Sequence, residues 1–147
     1  MGKRRKAREL VLQSMYAENM TEKETGEIIE EVMISVQKDQ EILEFAEQLF
    51  RKAIRFKGEL DGEVATMLEN WELGRIALLD RLILRLALCE LLYFEEIPPK
   101  VTINEAIDLA KKFSTGESSR FVNGIIDGLY KKCNEENRII KKGRGLL

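Results

Sequence analysis

Apolar residues recur at helical spacing along nearly the whole chain, and no stretch of useful length alternates with period two. The clearest pattern lies in positions 42–60, where an apolar residue returns every three or four positions. Between Ile76 and Phe94 the apolar positions would cover most of the circumference of a helix, which is typical of a helix packed by neighbours on several faces. The pattern predicts an all-α fold, a compact bundle of about seven helices around this central apolar helix.

Local signals indicate where helices begin and end. Thr21 with Glu24, and Thr102 with Glu105, have the spacing of capping boxes and predict two helix starts. The Pro98-Pro99 pair predicts that the central helix has ended, because proline lacks an amide donor and keeps the residue before it out of the helical region.

The last predicted helix carries two glycines one turn apart, Gly124 and Gly128. Glycine is unfavourable inside a helix, so we expect close approach of a neighbouring helix there, in preference to a ligand against the bare backbone. Residues 133–147 are polar and are expected to form a frayed tail. A chain of 147 residues is expected to form a single helical domain, 1–147.

The formal net charge of −2 hides a strong segregation of charge. Residues 22–47 hold nine acids against two bases, whereas residues 1–8 hold no acid. The bases of that N-terminal run are Lys3, Arg4, Arg5, Lys6 and Arg8. The helix dipole favours acids at a helix start, so the run breaks a local rule, and such violations are expected where a chain has a function. Because arginine binds phosphate oxygens in pairs, the run favours nucleic-acid contact over a solvated run that only aids solubility.

A second candidate surface lies between the last two predicted helices, in residues 111–121. It places bases and hydroxyls beside aromatic rings, a combination that binds unstacked RNA bases and their phosphates. Its members are Lys111, Lys112, Phe113, Ser118, Ser119, Arg120 and Phe121. Taken alone, each ring is more typical of an ordinary core position.

Catalytic chemistry finds little support in the sequence. The chain has no histidine, which excludes imidazole bases, imidazole-assisted nucleophiles and imidazole metal ligands. Cys89 and Cys133 are far apart, so there is no CxxC zinc or redox motif, and both are expected to be buried in a reducing compartment. No secretory signal or membrane-spanning stretch is visible, so we expect a cytoplasmic location.

Nine segments of the chain carry a resemblance to a known family when they are taken in order. They are Arg4–Glu9, Gln13–Tyr16, Asn70-Trp71, Arg75-Ile76, Asp80–Ala87, Cys89–Leu91, Ile97–Ile107, Leu109–Phe113 and Phe121–Asp127. Together they resemble the NusB family of transcription antitermination factors. The resemblance implies an all-helical bundle of about seven helices in two subdomains, without enzymatic activity, cofactor or metal.

The resemblance also implies a set of partners. The expected partners are boxA-type single-stranded RNA, chiefly in nascent ribosomal RNA transcripts, and the small-subunit ribosomal protein that acts as NusE. With NusA and NusG on RNA polymerase, such a complex suppresses termination.

By position, the resemblance implies which residues bind each partner. The RNA-binding set is Lys3, Arg4, Arg5, Lys6, Arg8, Lys112, Glu117, Ser118, Arg120 and Phe121. The set that binds the ribosomal protein is Tyr16, Arg75, Ile76, Leu79 and Asp80. Phe121 is expected to stack on a base and Arg120 to bind a phosphate. Cys89 stands where an aromatic is common in the family, and Glu117 stands where some relatives have Asp.

Two other interpretations stay open. A similar helical domain forms the front of some ribosomal RNA cytosine methyltransferases, but this sequence has no glycine-rich methyl-donor loop after a strand, so catalysis is not expected. The other interpretation is a helical module that binds only proteins, in which the basic run has no part in binding. Because the net charge is −2, we expect weak RNA binding by the chain alone and stronger binding with a basic partner.

Overall fold

The computed structural model describes residues 2–68 and 76–147. All regular secondary structure in these residues is helical, which confirms the all-α prediction. The elements are α1 (Lys3–Met20), α2 (Thr25–Ile28), a π-helical turn (Ile29–Ile34), α3 (Gln40–Arg55), α4 (Lys57–Ala65), α5 (Leu78–Tyr93), α6 (Pro99–Phe113), α7 (Gly116–Glu135) and a short 3₁₀ helix (Gly143–Leu146). None of the described helices is long and apolar enough to cross a membrane.

The described residues divide into two compact units, Met1–Arg55 and Phe56–Leu147. In the first unit, α1 packs along α3, and both contact the π-helical turn. Three- and four-residue spacing places the buried side chains on one face of each helix. The most deeply buried apolar members of this core are Ala7, Val11, Met15, Met33, Ala46, Leu49, Phe50 and Ala53.

In the second unit, α5 is the central helix, and α4, α6 and α7 all pack against it. Every residue from 82 to 91 is buried, as expected for a helix that is apolar on most sides. The run includes Arg85, which is only 3% exposed. Its guanidinium donates two hydrogen bonds of 2.8 Å to the carboxylate of Asp61 on α4. This bidentate pairing compensates the buried charge and fixes α4 against α5.

The first predicted capping box is wrong. The hydroxyl of Thr21 donates a hydrogen bond to the carbonyl oxygen of Ala17 at 2.8 Å, so it completes the end of α1. The next helix begins only at Thr25, and Glu24 precedes it without a side-chain cap. Threonine hydroxyls bond readily to a carbonyl four residues earlier, and here that local option replaces the cap.

The second predicted capping box is also wrong. Thr102 lies inside α6, is buried, and donates to Glu90 Oε1 at 2.9 Å. The helix begins instead at Pro99, at a position where the missing amide hydrogen of proline would have no partner in any case. The acceptor of the Thr102 hydroxyl is therefore a buried carboxylate of α5 and not the backbone of its own helix.

The chain after α7 does not form the frayed tail expected for residues 133–147. Arg138 donates to Glu63 Oε1 at 2.8 Å, which joins this segment to α4. The ammonium of Lys141 donates to the carbonyl oxygens of Glu90 and Phe94 at 3.2 and 2.8 Å. Each of these carbonyl groups also accepts a backbone N–H, so the cation adds a charge-assisted bond at the C-terminal end of α5, where the helix dipole favours positive charge.

The glycines of α7 differ in what surrounds them. At Gly124 a Cβ would meet nothing within 4 Å, so the expected close approach is absent there. At Gly128 a Cβ would collide with the methyl group of Met67, which lies just after α4. The tightest glycine is Gly145, where a Cβ would collide with the carbonyl group of Glu95.

Candidate nucleic-acid interface

The N-terminal basic run forms the first two turns of α1, and α3 of the same unit contacts its first residue. The ammonium of Lys3 lies 3.1 Å from Asp39 Oδ2 and 3.4 Å from Glu41 Oε1. Its hydrogen bond to Asp39 raises the pKa of Lys3, and the same bond lowers the pKa of the Asp39 carboxyl. Asp39 also accepts from the backbone N–H of Glu41 at 2.9 Å, so one carboxylate both starts α3 and holds Lys3.

Arg4 and Arg8 both lie over the aromatic ring of Phe45 on α3. Their Cζ atoms are 4.4 and 5.4 Å from the ring centroid. Arg4 remains exposed, but Arg8 is only 2% exposed. Arg8 was expected to hold an RNA phosphate; because its side chain is part of the core, this structure does not present it to a ligand.

The remaining bases of the run differ in exposure. Lys6 is exposed and Arg5 is half-buried. The five expected phosphate ligands therefore occupy four different environments: an ion pair at Lys3, an aromatic contact at Arg4 and Arg8, a half-buried position at Arg5, and open surface at Lys6.

The second predicted surface lies where α6 ends and α7 begins. Thr115 caps α7, since its side-chain oxygen accepts from the backbone N–H of Ser118 at 3.1 Å. This cap places Glu117 and Arg120, both exposed, in the first turns of the helix. Phe121 is half-buried, so its ring is neither fully in the core nor fully displayed. Lys112 is exposed at the end of α6, with its ammonium 5.5 Å from the centroid of Phe113.

A hydrogen bond connects this surface to the start of α5. Ser118 Oγ donates to Asp80 Oδ2 at 3.0 Å, and Ser114 Oγ donates to Ser118 Oγ at 2.8 Å. Asp80 is 5% exposed, and its other oxygen, Oδ1, has no hydrogen-bond partner among the described residues. The structure thus joins one residue expected to bind RNA to one expected to bind protein.

The other residues expected to bind the ribosomal protein belong to both units. Tyr16 is 44% exposed on α1, in the first unit. Ile76, just before α5, and Leu79, in its first turn, are half-buried in the second unit. Arg75 lies outside the described residues, as does the Asn70-Trp71 motif.

The described residues offer little for metal or thiol chemistry. No group of three or more histidine, cysteine, aspartate or glutamate residues among them could hold a metal ion. Cys89 and Cys133, the two cysteines of the described residues, form no disulfide, and both are buried. Burial raises the pKa of Cys133, which disfavours the reactive thiolate.

Comparison with known proteins shows the family of this chain. Residues 5–131 match the NusB family. The chain belongs to that family. Among NusB relatives, it is 41% identical over 148 residues to the transcription antitermination protein NusB of Salinibacter ruber, covering 100% of this chain and 92% of that protein. It is 39% identical over 137 residues to the NusB of Syntrophus aciditrophicus, covering 93% of this chain and 85% of that protein.

Solved NusB structures have the same fold. The match to T. maritima NusB has a TM-score of 0.81 at 35% identity and covers 88% of this chain and 91% of that one. The match to a crystal structure of antitermination factors NusB and NusE in complex with double-stranded RNA has a TM-score of 0.82 at 26% identity. It covers 90% of this chain and 98% of the matched chain.

Two features of this NusB-family site escaped the sequence analysis. Phe45 was assigned only to the apolar stripe of α3, yet it contacts two arginines of the basic run. The bond from Ser118 to Asp80 joins residues 38 positions apart. The apolar periodicity of each helix gives no sign of either contact, because both depend on how helices pack together.

Proposed function

We propose that this protein is a transcription antitermination factor. With the ribosomal protein acting as NusE, it binds boxA RNA of nascent ribosomal transcripts and helps RNA polymerase, with NusA and NusG, to read through terminators. The observation that carries the proposal is the match to the NusB family over residues 5–131. The antitermination names of the relatives at 41% and 39% identity support it.

The protein acts by binding rather than by catalysis, as one RNA-binding domain, 1–147, and it works in the cytoplasm. Lys6 and Arg5 on α1 attract RNA phosphates, and Arg120 does the same on α7. The exposed position of Lys6 and Arg120 supports these roles, since a phosphate can reach both without any rearrangement. Phe121, which is half-buried, offers part of its ring to an unstacked base.

The charge of the whole molecule supports a two-component RNA complex. The net charge is −2, and the Lys3 ammonium is already paired with two carboxylates. Lys3 is therefore less available to a phosphate, and a basic partner such as a ribosomal protein supplies further cations. We expect weak RNA binding by the isolated chain and tighter binding by the pair.

The test compares binding of boxA RNA and a scrambled RNA of equal length, with and without the ribosomal protein, by fluorescence anisotropy. We expect a preference for boxA that grows when the partner is present. Equal affinity for the two RNAs under both conditions would instead favour a module that binds only proteins.

A charge-reversal variant locates the interface. Arg4→Glu with Arg5→Glu should weaken boxA binding at least about tenfold, because two positive charges beside the RNA become negative charges that repel its backbone. The matched control is Lys23→Glu with Lys38→Glu, which changes the net charge equally at exposed positions of the same unit. Both variants should keep the helical circular dichroism of the parent. An equal loss of affinity in both would remove the basic run from the site.

A further inference from the structure

The arginines of the basic run are not equivalent, because α3 provides an aromatic ring beneath Arg4. The Cζ atom of Arg4 lies 4.4 Å from the centroid of Phe45, which is 7% exposed. Arg8 approaches the same ring at 5.4 Å from inside the core. Phe45 is therefore covered by two guanidinium groups, of which only that of Arg4 reaches the surface.

This contact changes what the Arg4 side chain can do. A guanidinium is planar, weakly hydrated and stacks on aromatic faces, whereas a lysine ammonium is a compact, strongly hydrated charge. With the ring of Phe45 on one side, and with Arg4 still exposed, the face turned away from the ring is the one that solvent reaches. The aromatic contact also restricts the side chain, so less freedom is lost when a ligand binds on that outer face.

We propose that Arg4, held by Phe45, is a stacking platform for an unpaired RNA base, and that Phe45 is the positioning residue of this platform. The proposal rests on the proposed RNA-binding function and assigns a base, rather than a phosphate, to one cation of the run. Unstacked RNA bases are held on aromatic rings and on arginine planes, and the layer of ring, guanidinium and base combines both.

The neighbouring cations support this division of roles. Lys6 is exposed and has no ring beneath it among the contacts described, so it is suited to a phosphate as a mobile point charge. Lys3 is occupied by Asp39 and Glu41. Arg4 alone among the exposed bases of the run combines a planar group with an ordered orientation.

The decisive variant is Arg4→Lys, which keeps the charge and removes the plane. The assay uses a set of boxA RNAs, each carrying the fluorescent base 2-aminopurine at one position, bound by the full chain together with the ribosomal protein. We expect the parent to quench 2-aminopurine at one position through stacking. Arg4→Lys should lose that quenching and bind about tenfold more weakly, with an unchanged slope of log affinity against log salt.

The matched control is Arg51→Lys, an equivalent exchange at an exposed arginine of α3 that pairs with Glu47. It should leave affinity, quenching and salt slope at parental values. Phe45→Leu should reproduce the loss of quenching expected in Arg4→Lys. Phe45→Tyr, which keeps the ring, should retain the parental quenching. Circular dichroism identifies any Phe45 variant that fails to fold, and in that case Arg4→Lys still decides the question.

Two results would overturn the stacking role. One is parental affinity and quenching in Arg4→Lys. The other is loss of affinity with unchanged quenching at every position, which would make Arg4 a phosphate ligand. Failure of the proposed function is a separate result, since the parent itself would then bind boxA and scrambled RNA equally.

Discussion

The hydroxyl of Ser118 donates a hydrogen bond to the carboxylate of Asp80 across 3.0 Å. Asp80 lies in the first turn of α5, and Ser118 in the first turn of α7. The carboxylate is 5% exposed, and Ser118 is its hydrogen-bond donor among the described residues. One small hydroxyl therefore compensates a buried charge and ties together the starts of two helices.

Loss of that hydroxyl should destabilise the protein. We expect Ser118→Ala to lower the free energy of unfolding by about 1–3 kcal/mol, because a buried carboxylate is left without its donor. Urea denaturation followed by circular dichroism measures this. The control is Ser35→Ala, where an exposed hydroxyl bonds only to the carbonyl oxygen of Glu31, and where a change below about 0.5 kcal/mol is expected. If the two variants lost similar amounts of unfolding free energy, the contact with Asp80 would add no more stability than an exposed hydroxyl bond.

The same bond should also couple the binding of the two ligands proposed for the second unit. If the ribosomal protein contacts the start of α5 and RNA contacts the start of α7, binding of one biases the geometry offered to the other. We expect Ser118→Ala to reduce, by about threefold or more, the factor by which the ribosomal protein raises RNA affinity. The measurement is a thermodynamic cycle of RNA binding with and without partner. An undiminished factor would show that coupling takes another route.

The acidic start of α3 should weaken RNA binding by holding Lys3. Asp39→Asn keeps a good helix cap but removes the ion pair. We expect RNA affinity to rise by about two- to fivefold at low salt, a modest gain because exposed ion pairs are weak, and to converge with the parent at high salt. Glu44→Gln is the matched control, an exposed carboxylate on the same helix. In a Lys3→Ala background the gain should vanish; its persistence there would point to a general charge effect.

Two glycine substitutions should act in opposite directions. Gly145→Ala places a Cβ against the carbonyl group of Glu95, and we expect it to destabilise the protein by about 1–3 kcal/mol through overpacking. Gly124→Ala places the same methyl group in open space within α7, and we expect a gain of about 0.5–1 kcal/mol from helix propensity. Thermal unfolding of both variants tests this. A neutral Gly145→Ala would show that the segment after α7 contributes nothing to stability.

Glu63 should make stability fall in acid. Burial raises the pKa of its carboxyl, but hydrogen bonds from Arg138 and Lys132 outweigh it and hold that pKa below the ordinary 4.5. A lowered folded-state pKa adds stability that is present above the unfolded value and is lost as pH falls through the folded one. Glu63→Gln should therefore cost about 1 kcal/mol near neutrality and progressively less below about pH 4.

Denaturation of Glu63→Gln and of the parent across that pH range tests the sign. The exposed carboxylate Glu44 again supplies a control, since Glu44→Gln should track the parent. A difference between Glu63→Gln and the parent that stays constant with pH would contradict the role of ionisation.

The helices could be predicted from the sequence because a helix that packs on one face shows a repeat of apolar residues over a few positions. The stripe from Ile42 to Leu60 covers most of α3 and the first turn of α4, and its periodicity does not show the break at Phe56. The all-round apolar pattern likewise identified α5 as the centre of its unit. Each of these follows from residues three or four positions apart, which a single sequence displays directly.

The features that the sequence did not reveal have the opposite property. Thr102 has the spacing of a cap, but its hydroxyl bonds to Glu90, 12 positions away on another helix. Arg8 belongs to the basic run by sequence, yet packing against Phe45 buries it. The hydrogen-bond partner of a polar side chain depends on how the helices pack together, so local spacing in the sequence does not reveal it.

The ion pairs of Lys3 also bear on how fast RNA and protein find each other. Lys3 together with the carboxylates of Asp39 and Glu41 forms a group that, from more than a few ångströms away, attracts no phosphate, because two negative charges outweigh one positive charge. Together with a net charge of −2, this leaves little field to draw RNA across a screening length of about 8 Å in physiological salt. Capture should then proceed at an unsteered rate of about 10⁵–10⁶ M⁻¹s⁻¹, and selection among RNAs should appear in how long each complex survives.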